Sequence, residues 1–356
     1  MTQRRPLYLL LPLLFLIAAG CDDSTGPENV EVPGFDLVAE IEVGDRPGSV
    51  TVAGNHYVVA NRFESLMLID AASLSVADSL DPAGFFPTDL HYHEDSQTLI
   101  VTDDASGKVR WVSLPDLTMS DTRTIPCLHD PFFSHPIGLD YDADHDRLYA
   151  LEVRGGTIAV IPRVAGDVDT VRYRPQAEGS YSLEVGLATA VDEVLDRLFL
   201  TSRDETKLFA FSTSGLTKVD SLTVDDGMLS INSLLADPVN GQLVVSRQAA
   251  VRSGDAYVGK LEIYDAATLE YSMGVDIPDY PEEGGMTWVD EGSALAVVSG
   301  TWLLEFSVPD YQRLHAADLE GTGSRVAYDA ANQRFIVTFE EEDMVRVYNR
   351  ATETRR

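Results

Sequence analysis

Cysteine is nearly absent, with Cys21 and Cys127 the only two in 356 residues. A chain with one possible pair is not a disulfide scaffold, so its stability has to come from a buried apolar core. Positive charge is scarce too: 26 Lys and Arg face 58 Asp and Glu, for a net charge of −32. Only four of those bases are lysine, at Lys108, Lys207, Lys218 and Lys260. Such a balance repels phosphate backbones and anionic lipid headgroups, which sets a nucleic-acid-binding role far behind other readings. No apolar run reaches the roughly 20 residues that a spanning helix needs. A helical stripe is missing beyond the first twenty residues, as are a CxxCH haem site, a Gly-rich phosphate loop, a GxSxG elbow and an HExxH metal motif. What remains is a chain that is 44% hydrophobic and 8% aromatic, enough for a packed globular body.

The first residues, "MTQRRPLYLLLPLLFLIAAGC", carry Arg4 and Arg5, an apolar run from Leu7 to Ile17, and small residues up to Cys21. That three-part form is an export signal. "AAGC" resembles a bacterial lipobox, with Ala18 where leucine is commonest; the match implies cleavage after residue 20 and diacylation of Cys21. The bland alternative is an ordinary signal peptide cut near Ala19. Residues 21–34 are polar, hold two prolines and show no periodicity, which reads as a flexible tether. Export and a lipid anchor to a membrane facing the periplasm or cell surface are therefore expected, with the globular body in residues 35–356.

That body repeats. Apolar bursts recur at Tyr57, Leu99, Leu148, Leu198, Leu243, Leu295 and Phe335, at spacings of 42, 49, 50, 45, 52 and 40 residues. Each burst follows a short apolar stretch and a polar turn ("IGLDYDADHD", "SRVAYDAANQ"), and precedes a second burst and a looser alternating segment. β-Branched and aromatic enrichment with period-two alternation marks strands. Short strands in a period of 40–50 residues predict an all-β, seven-bladed β-propeller with four antiparallel strands per blade. The seventh unit ends after its third strand, at "MVRVYNRATETRR", whereas "FDLVAEIEV" at 35–43 belongs to no unit. The N-terminal strand is therefore expected to complete the last blade, which removes an exposed edge.

"YVVANRFESLMLIDAASLSVADSL", from Tyr57 to Leu80, resembles the YVTN repeat of seven-bladed surface and periplasmic propellers. The likeness rests on Tyr57-Val58-Val59-Ala60-Asn61 and Ile69-Asp70, and again on "KLEIYDAATLEY". The resemblance implies an extracytoplasmic propeller and carries no single activity.

Candidate chemistry is thin. "DYDADHD" at 140–146 spaces acids like a calcium loop, yet an EF-hand would need glycine and a bidentate acid where His145 and Leu151 stand. It aligns with the neutral turn "AANQ", so a solvated hairpin is expected. His91 and His93 share a strand face, but no third ligand is evident, and neither a metal nor a cofactor is assigned. The long connections at 123–135, 173–185, 247–259 and 276–285 all fall on the face that carries the fourth-to-first and second-to-third links. A scaffold that elaborates one face usually binds there. The starts of the first strands place Arg46, Phe86, His135, Leu183, Ser230, Glu282 and Thr322 around the channel mouth on that face. This mix suits a protein, a peptide or a small polar ligand. The leading reading is a binding or scaffold module; the alternative is a propeller enzyme, a lactonase-like hydrolase with its site at the central channel.

Overall fold

A computed structural model of the chain describes residues 34–350, apart from 63–64, 105, 127–135, 153–155, 165, 173–187, 203–206, 225–227, 250–258 and 280. Cys21, Cys127, His135 and Leu183 thus lie outside the described residues, as do most of the long connections. Strands β1 to β28 form seven four-stranded antiparallel sheets. Six sheets are consecutive in sequence. The seventh has the order β1 (Phe35–Glu42), β28 (Met344–Arg350), β27 (Arg334–Phe339), β26 (Val326–Asp329). The expected closure is therefore present: the N-terminal strand is the outer strand of the last blade, paired from Phe35 opposite Arg350 to Glu42 opposite Met344. Arg346 fastens it, with its Nε 2.8 Å from Glu40 and an Nη 2.7 Å from Glu342.

Each blade packs face to face on its neighbours, which explains the wording of the repeat. Strand residues alternate between two sheet faces. Leu99 and Val101 pack against blade 1, whereas Ile100 packs against blade 3. Both faces of the middle strands are buried, so those strands are continuously apolar instead of alternating. Seven such clusters fill the seven interfaces, the last of them joining Ile336, Val345 and Val347 to Tyr57, Val59 and Ile69 across the closure. All seven repeat anchors, from Tyr57 to Phe335, have no solvent exposure. The outer strands lie at the rim and are mostly exposed, as in β5 (Ser75–Leu80), which is why their pattern is looser.

Turn chemistry repeats as well. In "DAASL" and "DAATL", Asp70 and Asp265 accept the amides of Ser73 and Thr268, at 2.7 and 2.8 Å. Leu74 and Leu269 follow with φ of 53° and 56°, a left-handed position that β-branched residues avoid. The first hairpins use a matching device: Asp142, Asp192, Asp237 and Asp329 each accept an amide three residues on, a local side-chain-to-backbone bond that favours the turn. "DYDADHD" is one of these hairpins. Asp142 accepts His145 N, and Asp146 accepts the Tyr141 hydroxyl and pairs with Arg163.

Candidate functional site

The seven first strands surround the axis: β2 (Pro47–Ala53), β6 (Pro87–His93), β10 (Pro136–Asp142), β14 (Thr189–Asp192), β18 (Met228–Asp237), β22 (Pro281–Val289) and β26. Five of them carry a register shift near their start, between Pro47 and Ser49, Pro87 and Asp89, Ile137 and Leu139, Ile231 and Ser233, and Pro281 and Met286. A bulge re-aims the side chain beside it. Here it turns Ser49, Asp89 and Ser233 into the channel, while Gly138, with φ of 64°, leaves space opposite. Arg325, just before β26, completes the ring.

Asp89 is the hub. Its Oδ1 accepts hydrogen bonds from Ser49 Oγ at 3.1 Å, Leu90 N at 3.0 Å and Arg325 Nη1 at 3.1 Å. Its Oδ2 accepts from Leu139 N at 3.0 Å. One carboxylate thereby ties together blades 1, 2, 3 and 7. Ser49 is held as a donor to an ion-paired carboxylate. Arg325 and Asp89 are 15% and 14% exposed, and Arg325 Nε is buried without a protein partner; such an atom is ordinarily served by channel water. Asp140 is a second clasp, accepting Val191 N of the next blade at 2.6 Å and Tyr141 N at 2.9 Å. Burial pushes its carboxyl up to about 7. His91 and His93 both pack on Tyr141, with ring centroids 4.9 and 5.5 Å away, and burial pushes His91 down to about 4. Among the described residues, no three His, Cys, Asp or Glu side chains gather as a metal site. The cavity that remains measures about 200 Å³.

The mouth residues expected from sequence sit one step above this ring. The lining begins three positions further along in blades 1, 2 and 7, at Ser49 after Arg46, Asp89 after Phe86 and Arg325 after Thr322, and two to four positions on in blades 5 and 6, at Asn232 and Met286. Arg46 and Thr322 are exposed, and Phe86 is half-buried. Arg46 N donates to Asp343 Oδ1 at 3.1 Å. Phe86 N donates to Asp103 Oδ1 at 3.2 Å. Ser230 and Glu282 lie on β18 and β22, of which only the backbone is described at those positions. The fourth-to-first and second-to-third links do share one side of the ring, and the first hairpins the other. Arg62, in a second-to-third link, donates its amide to Arg46 O and pairs with Glu340 at 3.4 Å, while Ala143 N of a first hairpin bonds Glu193 of the next one. The channel ring was visible as a pattern, a small or charged residue before Val or Leu in "PGSV", "PTDL", "PIGL", "INSL" and "GSRV". Nothing in those letters announces the bulge that aims it.

Seven four-stranded blades around a side-chain-braced channel define a seven-bladed β-propeller. No family model matches the chain, and no curated protein does. Among solved structures, it is similar to Raptor of Chaetomium thermophilum, with TM-score 0.71 and 13% identity over 91% of this chain. The chain spans only 29% of that Raptor chain. It is also similar to the β-propeller domain of Cps50 (Swd1) from Myceliophteria thermophila, with TM-score 0.68, 12% identity, and coverage of 89% of this chain and 100% of that one. At these identities the likeness is one of fold.

Proposed function

We propose that this chain is an exported, lipid-anchored propeller of the YVTN kind that binds a protein partner on the face carrying Arg46, Glu282 and the long connections. The observation that carries the reading is the state of the channel. Asp89 is saturated by four donors, and the remaining cavity of about 200 Å³ lies below the roughly 300–1,000 Å³ of ordinary ligand pockets. A braced, narrow axis supports recognition at the surface in place of chemistry at the centre. Export rests on the leader, and anchoring on Cys21. The test is capture of envelope proteins by the tagged chain. Arg46→Ala with Glu282→Ala should remove the captured partner and leave the melting temperature within a few degrees. Asp144→Asn with Asp95→Asn, on exposed turns of the opposite face, should leave capture intact. The reverse pattern would refute the face assignment. In parallel, Cys21→Ala should shift the protein from the membrane to the soluble fraction, or stall it as precursor, since two acyl chains hold stably; retention of a processed form in the membrane would refute the anchor.

A further inference from the structure

At the rim, between β17 (Lys218–Thr223) of blade 4 and the pair β20 (Gly259–Asp265) and β21 (Tyr271–Ile277) of blade 5, runs a groove of about 760 Å³. It is several times the channel cavity and lies within the size range of ligand sites. Leu222 and Val224 line it from blade 4, and Tyr264 and Leu269 from blade 5. Tyr271 stands at the opening with 54% of its surface exposed and meets Tyr264 edge to face, at 5.8 Å between centroids. The floor is built around a buried carboxylate. Glu262 accepts from the Tyr264 hydroxyl at 2.7 Å and from Arg247 Nη1 at 3.2 Å. Lys260 Nζ lies 3.6 Å from Glu262 Oε1 and 5.7 Å above the Tyr271 ring. An aromatic face beside a carboxylate is the niche that holds an alkylammonium, and one of the chain's four lysines shows it in use. The niche exists because residue 274 has no side chain. Gly274 pairs with Glu262 in the ladder, and a Cβ there would stand 2.5 Å from Lys260 Cε and 2.7 Å from the Tyr271 hydroxyl.

Exposed Asp220 and Glu270 also line the groove. With Glu262 they set three acids against Lys260 and Arg247, so the groove is net negative on a chain of −32. We propose that this groove docks a cationic, partly apolar segment of a protein partner. A leucine-sized side chain lies on the apolar floor that half-buried Leu222 forms with buried Val224, Leu269 and Tyr264, and the flanking lysines or arginines meet Asp220, Glu270 and the Tyr271 ring. The acidity draws cations from a distance; the apolar walls and the aromatic face select among them. This surface lies apart from the loop face of the proposed function and goes beyond it.

The probe is a fluorescent pentapeptide, Lys-Leu-Lys-Leu-Lys, with Glu-Leu-Glu-Leu-Glu as its counterpart, read by anisotropy on the folded chain. The lysine peptide should bind and the glutamate peptide should not. Tyr271→Ala should weaken binding about tenfold. Asp220→Lys with Glu270→Lys should abolish it, whereas Glu94→Lys with Asp95→Lys, an equal charge change on an exposed turn of blade 2, remote from the groove, should leave affinity within twofold. Gly274→Val, which displaces Lys260 and Tyr271, should weaken binding severalfold; if that variant melts early, Tyr271→Ala carries the comparison. No binding of the lysine peptide, or equal losses in the two charge-reversed variants, would overturn the proposal. The Arg46 and Glu282 double variant should still bind the peptide, so failure of the face reading and failure of the groove are separately visible.

Discussion

Removing the Asp89 carboxylate should loosen the ring from its centre. Asp89→Ala deletes the acceptor of four hydrogen bonds, from Ser49 Oγ, Leu90 N, Leu139 N and Arg325 Nη1. Leu90 and Leu139 lie against the narrow cavity, where their amides gain water at best. Arg325, 15% exposed, keeps its charge and loses its partner. Breaking a buried pair from one side costs roughly 3–5 kcal/mol, and each unsatisfied donor about 1–3. Channel water recovers part of this, so a loss of about 3–5 kcal/mol is expected. The measurement is denaturant unfolding followed by the fluorescence of Trp111, Trp288 and Trp302, with the midpoint and slope compared between variants. A double-mutant cycle isolates the pair. Arg325→Met in the Asp89→Ala background should cost less than Arg325→Met alone, with a coupling of about 1.5 kcal/mol or more. A loss under about 1 kcal/mol for Asp89→Ala, or additivity within about 0.5 kcal/mol in the cycle, would refute the hub.

Two further outcomes are expected. Deleting residues 35–43 from the full chain strips β28 of its outer partner and removes buried Phe35, Ile41 and Val43; at about 1.5–3 kcal/mol per side chain the loss rivals a domain's total stability of about 5–15 kcal/mol, so melting near that of the intact chain would contradict the closure. The pH profile should show two opposed slopes: Asp140 is raised from 3.8 to about 7, so its contribution is present at low pH and lost as pH rises through that window, whereas His91 is lowered from 6.5 to about 4, so stability is lost as pH falls through that one. Each shift is at most about 4 kcal/mol at 1.36 per unit; the melting difference between wild type and Asp140→Asn should therefore change by several degrees between pH 4.5 and 7.5, and a flat difference would reject the raised carboxyl.

The blades were legible because their environment repeats. Leu99 and Ile100 face opposite neighbours, both fully buried, so the apolar run could be read without knowing which side each residue takes. Closure was legible by counting, since one strand was missing at the end and one spare at the start. The channel lining lies two to four positions beyond the mouth residues, because bulges at Gly48, Thr88, Gly138 and Asn232 decide which residue turns inward, and such a shift is set by pairing between strands that a single sequence does not display. The rim groove was invisible for a related reason. It depends on how far two blades splay and on Gly274, an unremarked glycine in an outer strand.

Because Phe35 pairs with Arg350, the chain enters and leaves the propeller at one spot. Arg350 also reaches Asp290, in the first turn of blade 6, at 3.1 Å, which places that spot on the turn side, away from Arg46 and Asp343. A bulky group attached at Arg350 would therefore stand on the turn side, and the face carrying Arg46 and Asp343 would stay open for display.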